Sequence, residues 1–124
     1  MKENIVKNKS FEFATKIVKL YQFLCDQKRE FVLSKQLLKS GTSVGAMIRE
    51  AEHEENKNDF KHKMGIAQKE INETIYWLEL LKATDYLSQE QFENINNDAV
   101  EIIKLVTAII KATKNNINYL DTTF

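Results

Sequence analysis

The stretch DFKHKMGIAQKEINETIYWLELL, Asp59 to Leu81, decides the fold. Phe60, Met64, Ala67, Ile71, Ile75, Leu78 and Leu81 recur every three or four residues, which sets them on one face of a helix. Just upstream, Asn56 is suited to cap the first turn, with Asp59 three residues on as its acidic partner. The spacing predicts a helix over about residues 57–84.

The same periodicity continues on both sides. Downstream, Ser88 with Gln91 matches a capping box, and Ile95, Ala99, Ile102, Val106 and Ile109 follow an unbroken heptad pattern, predicting a helix over about 89–116. Upstream, Leu33, Leu37, Gly41, Val44, Ile48 and Ala51 predict a helix over about 30–54. Before it, Ser10 reads as an N-cap, and Ala14, Ile17, Val18, Tyr21, Leu24 and Cys25 as the apolar face of a helix over about 10–26. Four long helices with short connections fold most simply as an all-α, antiparallel up-down-up-down four-helix bundle, one domain over 1–124. The first eight residues and the tail after about Asn115 are expected to fray or pack irregularly.

Composition agrees. Among 124 residues there is no proline and there are three glycines, too few turn formers for a sheet protein. Lys and Arg number 18, as do Asp and Glu, so no global basic field exists to hold nucleic acid or an anionic membrane. A local basic stripe stays open. The lone Cys25 has no partner for an intrachain disulfide and reads as a packing residue. The N-terminal MKENIVKNKS lacks the apolar run of a signal peptide, and the stretch Ile102–Ile110 is far too short to span a bilayer. The expectation is a cytoplasmic protein with no membrane contact.

Three features exceed a plain bundle. The run Ser40-Gly41-Thr42-Ser43-Val44-Gly45-Ala46 places small groups on every side of the second helix, although a glycine in a helix interior costs ~1 kcal/mol against alanine. It predicts close backbone approach on two sides, either within the chain or to another subunit. Second, Ile102, Ile103, Leu105, Val106, Ile109 and Ile110 cover an arc of roughly 160°, wider than the ~100° stripe a surface helix needs. On the third helix, Ile66, Trp77 and Leu80 lie off the core line beside Glu70 and Glu73, resembling a subunit interface. With Ser43, Gly45 and Ala46 they form the predicted contact surface of a homo-oligomer; cover by long neighbouring side chains is the alternative. Third, the second helix opens basic and closes with Glu50, Glu52, Glu54 and Glu55, whereas the third opens with Lys57, Lys61 and Lys63, against both helix dipoles. Pairing of the acidic end with the following basic start explains this modestly.

Chemistry is sparse. Glu50-x-x-His53 and Asp59-x-x-His62 have the spacing of carboxylate–histidine metal pairs, but both flank one turn and the outer helices offer no inward glutamate. They read as solvated side chains, so no metal or other cofactor is expected. No phosphate loop, nucleophile elbow or histidine beside a nucleophile is present, and the expectation is a non-enzyme. For nucleic acid the candidates are Arg29, Lys35, Lys39 and Arg49 in one cluster and Lys104 and Lys111 in another. Such residues more often form a solvated face.

At SKQLLKSGTSVGAMIREA (Ser34–Ala51) and DFKHKMGIAQKEINETIYWLELL (Asp59–Leu81) the chain resembles the four-helix-bundle proteins encoded in intervening sequences of bacterial 23S rRNA genes, sometimes labelled S23 ribosomal protein. Leu37, Ser40, Gly41, Ser43, Val44, Gly45, Ala46, Ile48, Glu50 and Ala51 carry the first match. Asp59, Phe60, Lys63, Ala67, Lys69, Glu70, Glu73, Thr74, Tyr76, Trp77 and Leu78 carry the second. The resemblance implies an up-down bundle assembling into a ring, a homopentamer, with a protein or nucleic-acid partner. A related protein, the accessory variability determinant of diversity-generating retroelements, is a strongly basic ring that partners a reverse transcriptase and nucleic acid. This chain departs at Met47, where the family usually has asparagine, at His53-Glu54, and in its zero net charge. The resemblance therefore supports two readings: a non-catalytic ring-forming scaffold, and an RNA- or DNA-binding accessory protein linked to rRNA or a reverse transcriptase.

Overall fold

A computed structural model describes the backbone of residues 2–123 and the side chains of residues 5–115. The elements in order are α1 (Lys2–Asp26), α2 (Leu33–Glu52), α3 (Lys57–Ala83) and α4 (Gln89–Thr123), with no strand among the described residues. Each helix packs against its two neighbours, α1 on α2, α2 on α3, α3 on α4 and α4 back on α1, and among the described residues neither diagonal pair brings its Cα atoms within 8 Å. That square of antiparallel neighbours is the up-down-up-down four-helix bundle.

The stripes of α2, α3 and α4 line the core as their spacing predicts. Leu37, Gly41, Val44, Ile48 and Ala51 are buried on α2, with Leu33 half-buried at its start. Met64, Ala67, Ile71, Leu78 and Leu81 face them from α3, and Ile95, Ala99, Ile102, Val106 and Ile109 from α4. Of the predicted α3 stripe, Phe60 and Ile75 are only half-buried flanks, and Thr74 is buried instead of Ile75. The wide apolar arc of α4 is absorbed here: Ile103, Leu105 and Ile110 are half-buried flanks packed on that core.

α1 differs from expectation. Its helix begins at Lys2, so Ser10 lies mid-helix, buried, its hydroxyl donating to the Lys7 carbonyl at 3.0 Å. A serine that bonds back into its own helix leaves no cap to mark a start. The core stripe is Val6, Ser10, Phe13, Ile17 and Leu24, rotated from the predicted one, and Val18 is exposed. Likewise α4 runs helical to Thr123, past the predicted end.

α2 starts three residues later than predicted, and the cause is its cap. Val32 occupies the N-cap position without a capping side chain. Instead the buried Glu30 carboxylate accepts from the backbone N–H groups of Val32, Leu33 and Ser34 at 3.1, 3.0 and 2.7 Å. Burial pushes that carboxyl upward, but the three N–H donors outweigh it and hold the group below the usual carboxylate range. The other caps follow the sequence reading: Asn56 accepts from Asp59 N–H at 2.8 Å, and Ser88 and Gln91 exchange side-chain-to-backbone bonds.

Charges opposed to the helix dipoles find partners across helices. Lys63 near the start of α3 bonds Glu50 near the end of α2 at 3.0 Å, and Lys7 of α1 meets Glu52 at 3.1 Å.

Candidate interaction surface

The small-residue run of α2 lets two neighbours approach at once. Toward α1, a Cβ added at Gly41 would lie 2.8 Å from Ile17 Cγ1, so the glycine is what admits that isoleucine. Gly45 faces the same helix, its Cβ position 3.4 Å from the Ser10 carbonyl oxygen. Toward α3, the buried hydroxyls of Thr74 and Ser40 bond at 2.9 Å, and Thr74 also donates to the Glu70 carbonyl of its own helix. Close approach on two sides is therefore met within the chain.

Beside the core stripe of α3 runs a second heptad stripe, displaced by one residue: Ile66, Glu70, Glu73, Trp77 and Leu80. Thr74 and Lys63, which bond α2, mark which side this is. The stripe is the outer flank of the α2–α3 seam, and Ser43 and Met47 of α2 border it by the same helical phase. Ile66, Glu70, Trp77 and Leu80 are half-buried, and Glu73 is exposed. The Trp77 indole N–H donates to a Glu73 carboxylate oxygen at 3.2 Å, and the exposed Tyr76 ring meets it edge-on with centroids 5.1 Å apart. Burial raises the Glu70 carboxyl above its usual range; the Glu73 charge adds to this, and Lys39 partly offsets both. Neither Glu70 nor Glu73 forms a salt bridge among the described residues.

Of the residues predicted to form a contact surface, Ser43, Ile66, Glu70, Glu73, Trp77 and Leu80 come together on this flank. Ala46 is exposed on the outer face of α2, and Gly45 lies apart, against α1. The basic candidates divide. Arg29, Lys35, Lys39 and Arg49 lie on the α1–α2 connection and α2, Lys104 and Lys111 on α4, and those two helices are diagonal in the bundle. All six are exposed, and Arg49 stacks its guanidinium over the exposed Phe11 ring at 5.1 Å. Among the described residues no three His, Cys, Asp or Glu side chains converge as metal ligands, and Glu50 is engaged by Lys63.

A second surface escaped the sequence reading. Between the C-terminal half of α1 and the start of α4 lies an open cleft of about 710 Å³, floored by Leu20, Phe23 and Ile95 and rimmed by Lys16, Lys19 and Lys28 on the α1 side and by Glu90, Gln91 and Asn94 on the α4 side. Its signal was present only as Leu20 and Phe23 standing off the predicted α1 face. Near its end of the bundle, Phe31 and Val32 are also exposed, at 56% and 72%.

The family model for the 23S rRNA-intervening sequence protein matches residues 2–108. The chain belongs to this family. A crystal structure of a protein of unknown function from the S23 ribosomal protein family of Bacteroides thetaiotaomicron superimposes with a TM-score of 0.88 at 59% identity, over 90% of this chain and 99% of that one. Among curated proteins none matches. The four-helix bundle of the 23S rRNA-intervening sequence family is thus the frame in which the flank and the cleft sit, and no helix among the described residues is long and apolar enough to cross a membrane.

Proposed function

We propose that this chain is a non-catalytic, ring-forming scaffold of the cytoplasm, a homo-oligomer whose α2–α3 outer flank meets another copy and whose assembled surface engages a macromolecular partner. The observation that carries this reading is the second heptad stripe of α3. The core stripe joins α3 to its bundle; this second one packs only its inner edge on that core through the half-buried Trp77, and its outer edge, with Glu70 and Glu73 free of salt bridges among the described residues, is what another copy would cover. Tryptophan is among the residues most often found at the energetic centre of interfaces. The homopentamer implied by the family resemblance is the ring size we adopt. Trp77→Ala combined with Leu80→Glu is expected to reduce the assembly to 14.5 kDa chains in sedimentation velocity while the helical circular dichroism persists. An unchanged assembly would remove the flank from the interface.

An accessory role in binding RNA or DNA is the rival. Its basic residues are split between the α2 side and the diagonal α4, and the chain as a whole carries no net charge, so it needs repetition around a ring to build a field. It predicts retention on structured RNA that falls steeply with salt, and absence of binding at low salt eliminates it.

A further inference from the structure

The two surfaces left without partners are complementary to each other. The α1–α4 cleft has an apolar floor and a rim with three lysines against one carboxylate, Glu90; Lys19 and Lys28 make no salt bridge among the described residues, while Lys16 is held by Asp98. The outer flank of α3 has an apolar ridge, Trp77 and Leu80, and an anionic edge, Glu70 and Glu73, equally without salt bridges. They belong to opposite seams of the square bundle, α1–α4 and α2–α3. Both lie toward the end where α1 and α3 finish and α4 begins.

We infer that the α3 flank of one copy seats in the α1–α4 cleft of the next, Trp77 and Leu80 against Leu20, Phe23 and Ile95, with Glu73 facing Lys19. This rests on the oligomer reading above and specifies which two surfaces meet. A volume of about 710 Å³ accepts several side chains. Pairing the flank with itself across a two-fold axis brings Glu70 and Glu73 of both copies together, a like-charge arrangement that interfaces avoid. Pairing it with the cleft sets two carboxylates that have no salt bridge among the described residues against the Lys19 and Lys28 ammonium groups, which outnumber the single rim carboxylate, Glu90. Because the two surfaces differ, the contact is heterologous: every copy presents one of each, and the assembly closes as a ring or grows as a filament. The common height of the surfaces along the bundle sets successive copies side by side, with little axial rise.

The test uses two variants of the full chain, each with one surface broken. Lys19→Glu/Lys28→Glu reverses the cleft rim at exposed positions, and Trp77→Ala/Leu80→Glu breaks the flank. Each alone is expected to associate at least about tenfold more weakly than the parent in sedimentation velocity. Mixed in equal amounts they should form a one-to-one dimer, since one intact flank and one intact cleft remain. If the double flank variant loses its helical signal, Leu80→Glu alone replaces it. An oligomeric parent whose cleft variant assembles unchanged overturns this pairing and leaves the oligomer standing. Two dissociated variants that form no mixed dimer overturn it as well, and a monomeric parent removes both readings together.

Discussion

The seams of α2 and the seam between α1 and α4 are built on opposite plans. α2 is gripped from both sides through small groups: Gly41 beneath Ile17, Gly45 beside Ser10, and Ser40 bonded to Thr74. The α1–α4 seam is joined by long side chains at its margin, Lys16 to Asp98 and Lys9 to Glu101, and opens into a cleft at one end. Backbones that nearly touch leave no tolerance for volume, whereas a seam bridged by exposed ion pairs gives way cheaply. The difference predicts that perturbations of equal size will have very unequal effects on the two sides of the bundle.

The largest effect is expected at Gly41. A leucine there collides with Ile17 in a sealed layer, and Gly41→Leu is expected to cost about 3 kcal/mol or more in urea unfolding. Gly41→Ala sharpens the point: helix propensity favours it by ~1 kcal/mol, so a measured loss reports the collision with Ile17 directly. Next comes Thr74→Val, which keeps the shape but takes a partner from the buried Ser40 hydroxyl, and should cost about 1–2 kcal/mol in the same measurement.

Glu30 links the comparison to pH. Its folded-state carboxyl titrates below the ordinary range, so its contribution is fully present above the unfolded value and lost as pH falls through the folded one. Glu30→Gln should therefore be destabilised by roughly 1 kcal/mol at neutral pH and lose less stability than the parent on acidification below about pH 4.5. Equal acid sensitivity of the two proteins in thermal melts would contradict the cap. The smallest effect belongs to the open seam: Asp98→Asn, which unpairs Lys16 at the surface, should shift stability by only ~0–1 kcal/mol.

The sequence made the tight part of the molecule legible and left the open part obscure, for physical reasons. Heptads on α2, α3 and α4 mark their buried faces because every position in the stripe is apolar or small. On α1 the stripe includes Ser10, and reading that serine as a cap cut off Val6 and turned the predicted face away from Phe13. The Glu30 cap was invisible because its carboxylate serves N–H groups ahead of and within the first turn, where capping patterns look for a short polar side chain. Trp77 and Leu80 were marked by phase alone as lying off the core line, where both are half-buried. The cleft was not so marked, because it depends on how two helices far apart in the chain diverge, with Lys16 and Asp98 as the nearest tie.

The central claim is that the second stripe of α3 meets another copy of the chain. Sedimentation velocity of the parent protein at tens of micromolar tests it most directly. The account predicts a species several times the 14.5 kDa chain, dispersed by Trp77→Ala/Leu80→Glu with helicity intact. A parent that sediments as a 14.5 kDa monomer throughout would contradict it.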